Sequence, residues 1–449
     1  MKLLLVAPHY PPRFLGGVEL CTQRLAHRFR AQGHDVTVVA VEQLGAAQLP
    51  PVTVDIDDDG GVRVLRLSLA TPDDDARFDA TYRDPHVESW LASWLREERP
   101  DVVHLHSGYL LGGAVLAAAR ATAVPAVVTL HDFWFICPRV TLLHPDRTCC
   151  SGPESPLKCA WCLATEQRRY RLPEQVLGRG AALQLARALA RPPLSSANGL
   201  DQRAGQIDHR SRTLQAALAD AAAITAPSRF LRDEMGRAGF PIERIDLLRY
   251  GVEPRPAAPP RATDGVALRI GFLGQIAPHK GVHVIVEAMR RLPDASIELV
   301  VHGPLTREVE YVDHLRRLAG DDRRIFFPGP IGHDDLDAFL ARIDILAVPS
   351  VWYENSPFVI HEARAAGLPV LASRLGGMAE LVEDGVDGLL ATAGSVEAFA
   401  AAFDRLVRER DLPARLRTGV RPPPTLDDEA RALVALYERL AAREPEAVR

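Results

Sequence analysis

Residues 344–373 read DILAVPSVWYENSPFVIHEARAAGLPVLAS. The first seven form an apolar run that ends near Ser350 and predicts a buried strand. Asn355 and Ser356 follow as N-cap candidates, and Pro357 suits the first helical position. The predicted helix runs to about Ala366, where Gly367 and Pro369 stop it and the apolar run PVLAS begins. Strand, loop, helix and strand in that order are one winding of a parallel α/β sheet. The backbone N–H groups of Ser356, Phe358 and Val359 are expected at the helix N-terminus, where unpaired donors and the helix dipole attract phosphate. Open parallel sheets bind ligands at this end of their strands. Two carboxylates flank the terminus. Glu354 lies in the loop, placed to reach hydroxyl groups ahead of a phosphate, and Glu362 lies inside the helix, placed to reach a ribose. A glutamate on a helix is most often only solvated; the strand, cap, proline and glycine around this pair favour a site.

The same alternation extends outward. Residues 268–292, LRIGFLGQIAPHKGVHVIVEAMRRL, predict a strand ending at Gly274, a loop through Gln275, and a helix from about Gly281. Val282, Ile285, Val286 and Met289 give that helix its buried face. Lys280 stands at its mouth, where a cation can meet a diphosphate; alone it would read as a surface lysine. SIELVVHG, RIFFPG, DILAVPS and PVLAS continue as strands between helices, and two helical stretches follow near 395–409 and 425–442. The first half alternates likewise through LLLVA, VTVVAV, VRVLRL, DVVHLHS, PAVVTLHD and AAITAPS, runs too apolar for a sheet wet on one face. The segment EPRPAAPPRATDG, residues 253–265, suits neither helix nor sheet and marks a linker. The fold class is therefore α/β with two doubly wound domains. Residues 1–252 form the first, with a Cys-rich and basic insert at about 137–219, and residues 267–410 form the second. A helical segment, 411–449, ends the chain.

Composition narrows the function. The 449 residues carry a net charge of −5, without the basic footprint a nucleic-acid binder needs. There is no apolar run of about 18 residues for a membrane span, and MKLLLVAP reads as a buried first strand, so a cytoplasmic location is expected. Residues 166–212 hold nine arginines against four acids. This is either a solvated helical insert or a surface for peripheral contact with the anionic inner face of a membrane. Five of the six cysteines lie between Cys137 and Cys162. Cys137, Cys149, Cys150, Cys159 and Cys162 offer five candidates for the four places of a structural zinc, with Cys137, Cys150, Cys159 and Cys162 as the expected set; the alternative is reduced thiols packing a loop. No catalytic metal is expected, and the runs Asp57–Asp59 and Asp73–Asp75 read as solvated turns. Gly16 and Gly17 allow close backbone approach but lack the dinucleotide spacing. His131 ends the strand AVVTL.

The Glu354/Glu362 element and the Lys280 loop resemble the family 4 retaining glycosyltransferases of GT-B fold, whose signature is two glutamates with seven residues between. The likeness covers most of the chain and is strongest over residues 269–390. It implies two Rossmann-like domains facing a cleft, with the final helix returning to the first domain. It also implies transfer of a sugar from a nucleoside-diphosphate sugar on the second domain to a hydroxyl acceptor on the first, with no cofactor. By resemblance, Glu354 and His131 contact the donor sugar, Glu362 the ribose, and Lys280, Gly274 and Gln275 the diphosphate. Gly16 and Gly17 lie near acceptor and diphosphate, and Ser373, Gly376, Gly377 and Glu380 form a closing loop. The family usually places an arginine where Gln275 stands, and Arg374 is the candidate substitute. The rival readings are a non-catalytic nucleotide-sugar-binding module and a sugar-nucleotide epimerase of the same fold.

Overall fold

Strands buried along their whole length dictate the architecture. In the computed structural model, which describes residues 1–45, 50–70, 77–190, 199–259, 267–332 and 335–442, two sheets carry such strands. The chain divides into two compact units: residues 1–248 together with the chain from Ala430 onward, and Arg249–Glu429. The helix Leu412–Gly419 belongs to the second unit.

The first unit holds β1 (Lys2–Ala7), β2 (Asp35–Leu44), β3 (Val52–Asp59), β4 (Val62–Leu69), β5 (Val102–His106), β6 (Ala126–Thr129), β7 (Ala223–Ala226) and β8 (Ile245–Leu247). They hydrogen-bond in the order β3-β4-β2-β1-β5-β6-β7-β8. All pairings are parallel except β3 with β4. Every residue of β5 and β6 is buried, which requires helices on both faces. Gly60 and Gly61, both at positive φ, make the two-residue turn between β3 and β4. This corrects the reading of Asp57–Asp59 as a solvated turn: they end β3. Asp59 accepts hydrogen bonds from Tyr10, Gln23 and His27, and Asp57 pairs with Arg66. The alternation of VTVDID was masked by its acidic residues. Asp73–Asp75 lie outside the described residues.

The insert is helical. In the helix Pro156–Ala164, Ser155 caps the Lys158 N–H and Pro156 opens the first turn. The helices Arg168–Leu177, Arg179–Leu189 and Leu200–Ala219 follow. Trp161, Tyr170, Ala182, Ala186 and Leu200 form a small core of their own. The last helix, Leu426–Ala441, brings Tyr437 against Phe29 and the ring of His104. No helix among the described residues is long and apolar enough to cross a membrane.

The second unit holds β9 (Leu268–Leu273), β10 (Ile297–His302), β11 (Ile325–Gly329), β12 (Ile345–Val348), β13 (Val370–Ser373) and β14 (Gly388–Ala391). Their order is β11-β10-β9-β12-β13-β14, and all are parallel. One face packs on the helix Val282–Arg290 through Val282, Ile285, Val286 and Met289, and the other on Leu336, Phe339, Ile360 and Ala363. Winding proceeds from β9 outward to β10 and β11, then resumes on the other side at β12. The switch point therefore lies between β9 and β12, and the crevice beyond their carboxyl ends is where such sheets bind ligands.

Glu429 is buried at the end of this unit, its Oε2 accepting the Gly251 N–H at 2.6 Å. Burial pushes its carboxyl up to about 7, against 4.5 in the open chain. The unfolded chain thus loses this proton first, so the group opposes folding increasingly as pH rises from 4.5 to 7. At about 1.4 kcal/mol per pH unit the full effect is about 3 kcal/mol. In denaturant unfolding, Glu429→Gln is expected to exceed the parent by less than about 1 kcal/mol at about pH 5 and by about 3 kcal/mol at about pH 8. A difference that does not grow with pH contradicts this.

Candidate functional site

Three loops, following β9, β12 and β13, meet around one carboxylate. Gly274 leaves β9, the exposed Gln275 follows, and a single 3₁₀ turn, Pro278–Lys280, delivers Lys280. The helix predicted from Gly281 starts one residue later, at Val282. After β12, residues 349–357 form the second loop. The Val351 N–H donates to the His279 carbonyl at 2.9 Å, tying the two together. Gly281, at φ +72°, lies so close beneath this loop that a Cβ would stand 2.0 Å from the Pro349 oxygen. The third loop supplies Gly377, whose N–H donates to the Glu354 carbonyl at 2.7 Å. A Cβ there would stand 1.6 Å from the Asn355 oxygen.

Glu354, 8% exposed, is the centre. Its Oε1 accepts from Lys280 Nζ at 2.7 Å, Trp352 Nε1 at 2.8 Å and Ser350 Oγ at 2.9 Å. Lys280 also lies 5.2 Å from the centre of the Trp352 ring. Burial, the largest influence, would raise the Glu354 carboxyl. The Lys280 charge and the three hydrogen bonds outweigh it and hold the group below the ordinary carboxylate range. All three donors use Oε1; no hydrogen bond among the described residues reaches Oε2. The arrangement is a fixed cation beside a carboxylate oxygen open to hydroxyl donors.

The helix after this loop, Phe358–Ala365, starts later than expected. Pro357 occupies the N-cap, and neither Asn355 nor Ser356 caps it. The Ser356 hydroxyl lies 2.7 Å from His361 Nε2 instead. Burial pushes His361 down to about 3, so its ring is neutral. The Ile360 N–H donates to the Pro357 carbonyl at 3.0 Å, and helix geometry leaves the Val359 N–H without an intrahelical acceptor. Glu362 is buried with Arg255 Nη2 3.7 Å away, and Arg255 also binds Asp337 at 2.6 Å. Arg374, the candidate substitute for the family's arginine, pairs with Asp384 at 2.5 Å. Ser373 ends β13, and Glu380 pairs with Arg249 at 2.9 Å.

In the first unit Gly16 is the N-cap of the helix Gly17–Ala31, and the Glu19 carboxylate folds back over it. His131, just beyond β6, is buried with Nε2 3.1 Å from His106 Nδ1. Burial, then the His106 charge, hold His131 well below its ordinary value. It is neutral near pH 7, suited to hydrogen bonding and not to carrying charge. His106 and Cys21 bring their donor atoms within 4.8 Å of His131. A cavity of about 1030 Å³ in this unit is lined by Phe78, Tyr109, Trp134, Tyr170, Arg203 and Arg210 among others. On the insert, Val176, 80% exposed, stands out with Leu172 and Leu177 on the arginine-bearing helix Arg168–Leu177. All six cysteines are thiols. Burial and mutual proximity push Cys159 and Cys162 up to about 12.

The structure thus brings Lys280, Glu354, Gly274 and the start of the Phe358–Ala365 helix to one crevice in the second unit, and places Gly16, Gly17 and His131 in the first. Sequence reasoning missed Ser350 and Trp352, whose only signal is their position four and two residues before Glu354. It also missed His106, which pairs with His131 only once β5 and β6 lie side by side.

Comparison with known proteins agrees in both units. The family of "Glycosyl transferase 4-like domain" sequences matches residues 16–251, and "Glycosyl transferases group 1" matches residues 267–409. The chain is similar to D-inositol 3-phosphate glycosyltransferases. With that of Mycobacterium marinum it shares 34% identity over 176 residues, 37% of this chain and 37% of the relative. With that of Mycobacterium tuberculosis (strain CDC 1551 / Oshkosh) it shares 34%, over 37% and 36%. The match therefore spans just over a third of these relatives. Among solved structures, Thermosynechococcus elongatus sucrose-phosphate synthase aligns over 98% of this chain and 99% of its own, with TM-score 0.65 and 18% identity. Anabaena HepE in complex with UDP aligns over 98% and 97%, with TM-score 0.61 and 18% identity. At such identity these two likenesses concern the fold alone.

The steric fit of Gly281 sets a test of the crevice. Gly281→Ala combines an unfavourable φ with a clash on the Pro349 carbonyl, and is expected to lower the unfolding free energy by about 2 kcal/mol. Unchanged denaturant unfolding would mean that the two loops are not packed as described.

Proposed function

Because the chain belongs to the family 4 glycosyltransferases of GT-B fold, we propose that it moves a sugar from a nucleoside-diphosphate sugar to a hydroxyl acceptor with retention of anomeric configuration. The observation that carries this reading is the Lys280–Glu354 pair at the switch point of the second sheet. The donor's diphosphate lies between Lys280 and the N-terminus of the helix Phe358–Ala365, where cation and helix dipole both favour negative charge. Glu354 Oε2 accepts from sugar hydroxyls, and Glu362 accepts from the ribose. UDP is the first nucleotide to consider, since HepE was solved with UDP and with UDP-glucose.

The chemistry follows from that placement. The bond from the anomeric carbon to the phosphate oxygen breaks, and negative charge grows on the diphosphate. Lys280 and the helix terminus stabilise that charge where it develops. The acceptor hydroxyl forms the new bond on the face the phosphate leaves, and its proton passes to the departing phosphate oxygen. Glu354 acts as a sugar-binding group: its Oε1 is held by three donors, which lowers its nucleophilicity. Within the first unit, His131, neutral and buried, offers a hydrogen-bonding group, and Gly16 and Gly17 offer backbone open to close approach. The acceptor occupies the large cavity of the first unit. Gln275, in place of arginine, leaves the diphosphate one cation fewer and is the one feature that favours a binding module without turnover.

The test is nucleoside-diphosphate release by the full chain from a panel of sugar nucleotides, with the anomer of the product read by NMR. Lys280→Ala and Glu354→Ala are each expected to lower turnover by on the order of 10²-fold. Near-parental turnover in either variant overturns its role. Nucleotide binding without release in the parent favours the binding module, and an acceptor-independent change of the donor sugar favours an epimerase.

A further inference from the structure

Four cysteines that take no part in the sugar site surround a second, much smaller cavity. Cys137 follows the apolar turn after β6, and Cys150 ends an irregular hairpin whose strands meet at Leu143 and Cys149. Cys159 and Cys162, three residues apart on the helix Pro156–Ala164, share one helix face. All four line a cavity of about 20 Å³, room for a single water-sized or ion-sized occupant.

Two further features mark the surroundings of this cavity. The backbone around Cys137 is bent hard: Val140 and Leu142 sit at φ +69° and +50°, costly for side chains with a Cβ and most of all for β-branched valine. Burial, the largest influence, pushes the Cys137 thiol up, while the backbone N–H groups of Leu142 and Arg139, which the bend aims at its sulfur, work in the opposite direction. The second feature is Arg210, only 3% exposed. Its guanidinium donates to the Trp134 carbonyl and lies 4.9 Å from the Trp134 ring, within electrostatic reach of Cys137 and Cys159. No carboxylate among the described residues forms an ion pair with it. A buried guanidinium needs a counter-anion nearby, and the groups within electrostatic reach of Arg210 that can supply one are the Asp132 carboxyl and the sulfurs of Cys137 and Cys159. Lys158 and Arg139 lie near Cys159 and Cys162, each also paired with a carboxylate, Glu154 and Glu166.

We propose that Cys137, Cys150, Cys159 and Cys162 bind one structural zinc ion as thiolates. Four thiolates and Zn²⁺ sum to −2, which Arg210 and its cationic neighbours offset, and tetrahedral sulfur coordination is what this ion prefers. Binding releases the four thiol protons to solvent, with no change of oxidation state. The rival group is Cys21, His106 and His131, whose donors lie within 4.8 Å of one another. There the two imidazoles already hydrogen-bond each other, and the trio offers three ligands. The four sulfurs surround their cavity more loosely than that trio; closing onto one ion is a rearrangement that metal binding itself drives. The consequence is mechanical. The helix carrying Cys159 and Cys162 also presents Ala160, Leu163 and Ala164 to the 1030 Å³ cavity, so the ion would fix one wall of it. The proposal does not depend on the sugar-transfer reading.

The experiment is elemental analysis of the full chain, purified without an affinity metal and dialysed against chelator-treated buffer. About one zinc per chain is expected. Cys150→Ser and Cys162→Ser should each lose it, while Cys149→Ser and Cys21→Ser keep it. Should the serine variants fold poorly, cobalt exchanged into the parent chain gives an independent reading, with the ligand-field and charge-transfer bands of tetrahedral cobalt thiolate expected. No zinc, with the cluster thiols reacting freely with a thiol reagent, overturns the proposal. Iron in place of zinc does the same, as does zinc that survives Cys162→Ser and leaves with Cys21→Ser.

Discussion

Lys280 and Glu354 meet at 2.7 Å with the carboxylate almost wholly out of water. Such a pair adds little net stability, but removing either partner strands a buried charge, at a cost of about 3–5 kcal/mol. The surrounding backbone is arranged to keep both in place. One glycine lets the lysine turn pass beneath the Pro349 carbonyl. Another lets the loop after β13 slide under Asn355 and donate its N–H to Glu354. Ser350 and Trp352 complete the shell. The three loops are thus tied to one another by the Val351–His279 and Gly377–Glu354 hydrogen bonds and by the Lys280–Glu354 pair. Preorganised charge of that kind is what a transfer reaction with a diphosphate leaving group needs.

The first unit shows a different economy. Its histidines on β5 and just beyond β6 are neutral and hydrogen-bonded: His131 to His106, and His104 to Thr129 and Tyr437. Burial keeps these rings uncharged, with His106 pushed down to about 3. A neutral, hydrogen-bonding wall suits a sugar better than a phosphate. The large cavity is lined instead by cationic side chains of the insert, Arg169, Arg203 and Arg210.

Much of this was legible in the sequence because it rests on local pattern. The strands β9, β12 and β13 are short apolar runs bounded by glycine and proline, and Glu354 and Lys280 follow them at offsets that place them at the sheet's edge. What stayed hidden depends on long-range pairing. Arg374 read as a cation that could compensate for Gln275, and its pairing with Asp384 could not be read from local pattern. Ser356 read as a helix cap, but its hydroxyl bonds His361, a buried ring five residues on that local rules give no reason to consult. The strand β3 was missed because its outward residues are aspartates, and acidic alternation looks like a turn until Arg66 and His27 are beside it.

The central claim is that Lys280 and the adjoining helix terminus hold a nucleoside diphosphate. Thermal unfolding with UDP, GDP, ADP and dTDP measures it most directly. One of them, at about 100 times its dissociation constant, should stabilise the chain by about 2.7 kcal/mol, with the gain abolished in Lys280→Ala. Stabilisation by none of them, or a gain that survives the loss of Lys280, would contradict the account.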